Sequence, residues 1–297
     1  MRKAFFQLHI AVFLAGFTGI LGKLITLNEG LLVWYRLLIT VITLWCLYYF
    51  QKKIKRISRV DLIKITGVGI IAVLHWVSFY ASIKIANVSV ALVCFSSIGF
   101  FTAIMEPVIL KHPVNFGEIL LGILTIAGIY LIFHFDPKFK TGIIIGIISA
   151  FLGCLFPIFN RKFLRSMSSE TVTLYELTGG FLFLSLIIPF YLHWFPSDTI
   201  IPGWSDFAWL LVLSWICTVV AFSLSMKALQ KISAFTVNLT YNLEPLYGIL
   251  LAFIFFREDK SLESSFYWGL SLIVLSVIIQ TMLIYKARVP RIEPGER

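Results

Sequence analysis

The sequence predicts an all-α integral membrane protein with ten transmembrane helices arranged as two inverted five-helix repeats. Three observations support this fold class: an apolar composition, ten long apolar runs, and ordered matches between the two halves. Hydrophobic residues make up 59% of the 297 residues and charged residues 13%, whereas a soluble domain is about 45–50% apolar and about 25% charged. This composition leaves no room for a sizeable soluble domain.

The net charge of +10 does not indicate a nucleic-acid-binding protein. Basic residues crowd the cytoplasmic loops of membrane proteins, and no basic stripe interleaved with aromatic residues occurs here. The cysteines lie in separate apolar runs without a CxxC pair, so the sequence indicates neither a disulfide framework nor a zinc site and favours buried apolar cysteines. We therefore expect no metal, no cofactor and no nucleic-acid partner. The cysteines are Cys46, Cys94, Cys154 and Cys217.

Ten runs have about the 20 apolar residues that a helix needs to cross the hydrocarbon core. The first run continues through Leu21 with no small-residue cleavage site, so we expect a retained helix and not a signal peptide. Most connections are short. The predicted spans are 4–24, 31–50, 65–86, 88–110, 118–135, 141–160, 170–193, 207–227, 233–256 and 265–286.

The positions of lysine and arginine predict the orientation. With the N-terminus inside, the inner segments carry roughly three times as many basic residues as the outer ones. Both termini are therefore expected in the cytoplasm, which an even number of spans also requires. We expect a multi-pass protein of a bacterial inner membrane.

The two halves match at nearly constant offsets. Matched residues of the fourth and ninth spans differ in number by 146. The corresponding difference is 138 near the start of each half and 140 in the second span of each half. A duplication follows, although apolar helices also resemble one another by chance. The predicted units are residues 1–137, 138–288 and a basic tail, 289–297. Matched pairs include Lys23 with Arg161, Ala91 with Val237, Gly99 with Pro245, and Phe101 with Tyr247.

Five spans are an odd number, so the second repeat enters the membrane in the opposite sense to the first. Inverted repeats are a transporter architecture, and the substrate site lies near the midplane where the repeats meet. Each fourth span also opens from a short polar step, Asn87–Ser89 in the first half and Ser233–Thr236 in the second. Together with Lys23, Arg161–Lys162 and Pro245, this pattern resembles the drug/metabolite transporter superfamily, specifically the EamA-type permeases.

The resemblance covers nearly the whole chain and implies export of amino acids or other small metabolites. Gly99 departs from the family pattern, because proline stands at its counterpart, Pro245. The resemblance also implies that spans one, three, four, six, eight and nine line a central cavity. The residues it places there are His75, Trp76, Phe79, Ser96, Ser97 and Tyr241.

Glu244 is the strongest single candidate for a functional residue. A carboxyl near the centre of a span is costly and favours a binding role, and Pro245 breaks the preceding helical hydrogen bond beside it. Tyr241 and Asn242 lie within one turn. The alternative is a structural carboxyl that holds an interhelical hydrogen bond.

His75 is the second candidate, because histidine titrates near neutral pH. It binds substrate or relays a proton with Glu244, or else it is a hydrogen-bonded core residue. Neither candidate has an ionisable counterpart: Ala221 matches His75, and Ile98 matches Glu244. We therefore expect the asymmetry between the repeats to carry substrate recognition.

Three further ionisable residues, Arg36, Glu106 and Glu176, are read as structural or anion-binding. Arg36 and Glu176 are repeat counterparts, but inversion places them in opposite leaflets, so we expect no salt bridge between them. The sequence contains no P-loop, GxGxxG or HExxH motif, which favours secondary or facilitated transport by alternating access. A channel or scaffold, or a membrane-embedded enzyme, is the alternative.

Overall fold

The computed structural model describes residues 2–111, 113–135, 139–232, 234–241 and 243–288, and all of its regular elements there are helices. One turn of π-helix, Trp215–Val220, separates α9 from α10, and a 3₁₀ turn, Glu258–Ser261, follows α12. The helices are α1 (Arg2–Leu24), α2 (Glu29–Phe50), α3 (Arg59–Ile85), α4 (Val88–Phe95), α5 (Ile98–Leu110), α6 (Phe116–Phe135), α7 (Lys140–Phe163), α8 (Ser169–Trp194), α9 (Trp204–Ser214), α10 (Ala221–Leu229), α11 (Ala234–Tyr241), α12 (Glu244–Phe256) and α13 (Ser264–Arg288).

Within the described residues, 7 helical segments are long and apolar enough to span a membrane. Three shorter apolar helices, Phe116–Ile132, Glu244–Phe256 and Ser264–Ile279, account for the remaining predicted spans. The all-helical class and the multi-pass membrane character are confirmed, and the count of ten spans stays a prediction. The seven segments are Lys3–Leu24, Glu29–Phe50, Arg59–Ile85, Val88–Leu110, Lys140–Phe163, Ser169–Trp194 and Trp204–Leu229.

Side-chain caps begin several helices and repeat between the halves. Asn28 accepts a hydrogen bond from the Leu31 amide at the start of α2, and Ser168 accepts one from the Thr171 amide at the start of α8. Such caps satisfy amide groups that the first turn of a helix leaves unpaired. The two capping residues differ in number by 140, the offset that the sequence gives for the second spans.

The fourth span of each half is broken at the same place. Helices α4 and α11 each have 8 residues, and α5 and α12 each have 13. Every boundary shifts by 146 from one half to the other. Both second pieces also end on a residue in the left-handed region, Lys111 at φ 58° and Arg257 at φ 54°. The duplication therefore extends to backbone conformation.

Helix contacts exchange between the halves as a two-fold relation requires. Helix α2 packs on its counterpart α8, and α6 packs on its counterpart α13, while α3 on α7 corresponds to α1 on α10. The crossing of α6 with α13, and that of α3 with α8, are close because a glycine on one helix faces the backbone of the other. A Cβ on Gly69 would lie 2.1 Å from the Glu176 carbonyl oxygen, and one on Gly269 would lie 2.4 Å from the Gly128 carbonyl oxygen. Small residues permit such approach between membrane helices.

Candidate functional site

A cavity lies between the two repeats, where the broken helices meet α1, α2, α3, α7 and α10. Its volume is about 80 Å³. That volume accommodates several water molecules or one small ligand. Its polar lining residues are Thr18, Arg36, His75, Ser225 and Glu244. Its aromatic lining residues are Trp76, Phe79, Phe95, Phe156, Phe222 and Tyr241.

Most of the lining residues are repeat counterparts of one another, so both halves contribute equivalent positions to the cavity wall. Both members of seven pairs contribute to its wall. Five pairs have an offset of 146: His75 with Ala221, Trp76 with Phe222, Phe79 with Ser225, Phe95 with Tyr241, and Ile98 with Glu244. Two have an offset of 138: Ala15 with Gly153, and Thr18 with Phe156. The same positions thus carry different chemistry on the two sides.

The two helix breaks bring main chain and side chains to this cavity. Ser96 and Ser97 separate α4 from α5, and the neighbouring Phe95 and Ile98 face the cavity. The second break places Glu244 at the first position of α12, with Pro245 next to it. A carboxyl is favoured at a helix N-terminus, and proline is tolerated there because the amide it lacks would be unpaired.

Arg36 reaches the cavity from α2 and is only 3% exposed. Its Nε donates to Thr218 Oγ1 at 2.8 Å, and its Nη1 donates to Tyr80 Oη at 3.0 Å. Its guanidinium carbon lies 4.2 Å from the centre of the Trp76 ring, a cation–π contact. A guanidinium has five N–H donors, so these two bonds leave three for a ligand.

A turn of π-helix presents Thr218 to Arg36. The Thr218 hydroxyl donates to the Leu213 carbonyl at 2.8 Å, five residues earlier, as the wider π turn requires. The Ser214 hydroxyl donates to the Arg36 carbonyl at 3.1 Å. Single π turns occur frequently at functional sites. This one fixes a long basic side chain at the cavity and was not foreseen from the sequence.

Glu244 shares the cavity with Arg36 and is 5% exposed. No salt bridge joins the two among the described residues. The cavity wall therefore contains an acidic group and a basic group without a salt bridge between them in the described part of the chain. A ligand with both charges can bind between them.

His75 is held in a fixed orientation. Its Nδ1 lies 2.9 Å from the Ser149 carbonyl oxygen, which can only accept, so Nδ1 carries the hydrogen. The Ser149 hydroxyl is then free to donate to the His75 carbonyl at 3.1 Å. The ring stacks on Phe95 with centroids 5.4 Å apart. His75 is thus both a hydrogen-bonded histidine and part of the cavity wall.

The structure brings together five of the eight predicted substrate-binding residues: His75, Trp76, Phe79, Tyr241 and Glu244. Ser96 and Ser97 are buried but are not among the lining residues; their hydroxyls donate to the helix carbonyls of Leu92 and Cys94. Asn242 lies outside the described residues.

Of the other three predicted ionisable residues, one lines the cavity and two are buried away from its lining. Arg36 lines the cavity, whereas Glu106 and Glu176 are buried elsewhere. Glu176 accepts a hydrogen bond from Asn160 Nδ2 at 2.9 Å. In the described part of the chain, no salt bridge joins Arg36 to Glu176.

The lining also contains residues that the sequence analysis did not propose, above all Thr18, Phe156, Phe222 and Ser225. The repeat itself carried the signal for two of them. Phe222 is the counterpart of Trp76, and Ser225 is the counterpart of Phe79. Applying the 146 offset to each proposed residue would have found them.

An ion pair joins the repeats near one end of α1. Lys23 Nζ lies 2.7 Å from Glu258 Oε1, and the same carboxylate accepts bonds from the amide and hydroxyl of Ser89 at 2.9 and 2.6 Å. Burial alone would raise the pKa of Glu258, but the bonds from Lys23 and Ser89 outweigh it and hold that pKa below its ordinary value. Ser89 lies in the first turn of α4, about 10 Å along the helix from the cavity.

Comparison with known proteins agrees with this architecture. The sequence profile of the EamA-like transporter family matches residues 2–134 and 140–282, which is one copy in each half. No curated protein matches the chain significantly. A solved structure described only as a crystal structure of protein shares the fold, with a TM-score of 0.70 and 14% identity over 97% of this chain and 99% of that one. The chain is therefore a two-repeat member of the EamA-like transporter family, which is a family of transporters and not of enzymes.

Proposed function

We propose that this protein is a secondary transporter that exports amino acids or closely related small zwitterions by alternating access through the central cavity. The observation that supports the substrate class is the presence of Arg36 and Glu244 in one aromatic-walled cavity, with no salt bridge between them among the described residues. Arg36 suits a carboxylate, which accepts two parallel N–H bonds from a guanidinium. Glu244 suits an ammonium group.

The aromatic walls favour an apolar portion in the substrate. Trp76, Phe79, Phe95 and Phe222 surround the space between the charged groups, and aromatic side chains supply large apolar contact area. The enclosed volume of about 80 Å³ suits a small molecule. His75, with Nδ1 committed to Ser149, offers Nε2 as an acceptor for a substrate donor.

The repeat relation supports alternating access. A site at the interface of two related units becomes accessible from either side when one unit rocks against the other. The Lys23–Glu258 pair joins helix ends from the two halves and is placed to break and re-form in such a motion. The inverted membrane orientation, cytoplasmic termini and inner-membrane location belong to this proposal.

The test is counterflow in proteoliposomes, with labelled amino acids outside and unlabelled ones inside. We expect uptake by the wild-type protein and loss of uptake by Glu244→Gln, which removes the charge and keeps the shape. Glu263→Gln is the matched control, because Glu263 is exposed and outside the cavity. Equal uptake by wild type and Glu244→Gln would contradict the proposed role of Glu244. Failure of wild type with all amino acids would contradict the substrate class.

A further inference from the structure

Glu176 and Asn160 form an isolated polar contact outside the central cavity. Glu176 lies on α8 and Asn160 on α7, and both residues are 0% exposed. The Asn160 amide donates from Nδ2 to Glu176 Oε2 at 2.9 Å. Within the described residues, the other hydrogen-bond partner of this amide is the sulfur of Met226, at 3.7 Å. The contact is therefore enclosed by the protein.

One oxygen on each side of this contact has no hydrogen-bond partner among the residues that the structure describes. These oxygens are Glu176 Oε1 and Asn160 Oδ1, and both are buried. Both atoms are acceptors when the carboxyl is ionised, so neither can satisfy the other. A hydrogen on Oε1 turns that oxygen into a donor. A carboxylic acid and a primary amide then form a cyclic pair with two hydrogen bonds, one in each direction.

No cation neutralises Glu176 in the described part of the chain, and the Asn160 bond is its one polar interaction there. Helix α8 packs against α2, α3 and α10, and Asn160 reaches it from α7. The ionisable groups along these elements include six that are exposed or bonded elsewhere: Arg36, Tyr48, Lys64, His75, Arg161 and Lys227. Lys53 pairs with Glu170 at the start of α8. A buried carboxylate without a counter-charge is strongly disfavoured.

We propose that Glu176 is the proton-binding site of this transporter, with Asn160 as its hydrogen-bond partner. One proton from the aqueous phase binds the carboxylate and gives the neutral acid while Asn160 and Glu176 are held together as seen here. The proton leaves when the two side chains separate, and the carboxylate charge returns. Transport is thereby coupled to the proton gradient. This inference rests on the proposed transport function but not on the identity of the substrate.

The two carboxyls have different surroundings in the structure. Glu244 lines the central cavity together with Arg36 and is placed to meet a substrate ammonium. Glu176 is not among the lining residues of that cavity, and among the described residues its carboxyl receives one hydrogen bond, from Asn160. The sequence favoured Glu244, together with His75, as the coupling group; the surroundings of the two carboxyls favour Glu176.

Glu176→Gln is the direct test, because an amide at this position can form the same cyclic pair with Asn160 without a proton. In proteoliposomes we compare accumulation driven by an imposed pH gradient with counterflow at equal pH. We expect the ratio of driven accumulation to counterflow to collapse in Glu176→Gln and to stay at the wild-type value in Glu263→Gln. A wild-type ratio in Glu176→Gln would overturn the proposal, as would a wild-type protein that exchanges substrate but does not respond to the gradient.

Infrared spectroscopy of the purified protein tests protonation without any transport. At neutral pH we expect a carbonyl stretching band of a protonated carboxyl that is absent from Glu176→Gln. In Asn160→Leu the band should shift to higher frequency, because the hydrogen bond that the Asn160 side chain donates to the carboxyl is lost. An unchanged band in Glu176→Gln would refute the neutral acid. Because this measurement needs no substrate, it separates failure of the proton site from failure of the proposed substrate class.

Discussion

Replacing Arg36 with lysine tests whether this residue binds a substrate carboxylate or only ties helices together. Lysine keeps the positive charge but replaces a planar fork by a single ammonium. In the native protein the guanidinium bonds to Thr218 and Tyr80 and still has three N–H donors. The single ammonium group of lysine cannot hydrogen-bond to both Thr218 and Tyr80 and also present two parallel donors to a ligand.

The expected loss follows from the bonds that lysine cannot make. A hydrogen bond to a charged group contributes about 1.5–3 kcal/mol, and every 1.4 kcal/mol is a tenfold change in affinity. Losing one of the two carboxylate bonds should therefore raise the Kd of an amino acid by roughly 10- to 150-fold. The stacking of Arg36 on Trp76 at 4.2 Å is also lost, which adds a cost that does not depend on the ligand.

The assay compares the amino acid with its amide derivative, which lacks the carboxylate. Binding is measured by calorimetry on purified wild-type and Arg36→Lys proteins, with Arg59→Lys as an exposed control. We expect the substitution to weaken binding of the acid far more than binding of the amide. Equal weakening of both ligands would refute a direct contact and would make Arg36 a purely structural residue.

Three further substitutions test the interface, the cavity and the packing. Glu258→Gln should remove about 1.5–3 kcal/mol of stability at neutral pH, the contribution of a hydrogen bond to a charged group. Because the folded pKa of Glu258 is lowered, the stabilising effect of its charge is lost as pH falls toward that pKa. Thermal unfolding measured from neutral to acidic pH should therefore show less dependence on pH in the variant. Ser225→Phe should fill the cavity of about 80 Å³ and abolish binding in calorimetry while the unfolding temperature stays near that of wild type. Gly69→Ala should lower the unfolding temperature, since its Cβ would lie 2.1 Å from the Glu176 carbonyl oxygen and overpacking costs about 1–3 kcal/mol; Gly67→Ala, with nothing within 4 Å, is the control. Three outcomes would contradict these expectations. They are an unchanged pH dependence of unfolding in Glu258→Gln, ligand binding by Ser225→Phe, and equal unfolding temperatures for Gly69→Ala and Gly67→Ala.

The register of the repeat could be predicted from sequence because it depends on local patterns. The polar step before the fourth span and the glycine or proline within it appear in both halves, and the structure breaks α4–α5 and α11–α12 at positions 146 residues apart. The caps Asn28 and Ser168 reproduce the 140 offset in the same way. Such features are encoded within a few residues and need no knowledge of the packing.

The membership of the cavity could be predicted only in part, because polarity does not determine which way a side chain faces. Ser96 and Ser97 are polar and lie at the helix break, yet each hydroxyl bonds to a carbonyl of its own helix, which serine does readily. Arg36 was assigned by the depth of its position along the span. Its long side chain and the π turn that carries Thr218 bring the charge to the cavity, and neither leaves a signal in the sequence.

Arg36 and Glu176 occupy the same position in the two repeats, and their difference supports a division of labour between the halves. At this position the first repeat has a cation that reaches the central cavity and is held by Thr218 and Tyr80. The second has an acid that is not among the cavity's lining residues and whose one hydrogen-bond partner in the described part of the chain is Asn160. A site that must bind both a zwitterion and a proton works best when the two do not compete for one carboxyl. If Glu244 is committed to the substrate and Glu176 to the proton, then an excess of substrate should not displace the proton, and the infrared band of Glu176 should persist when the cavity is saturated.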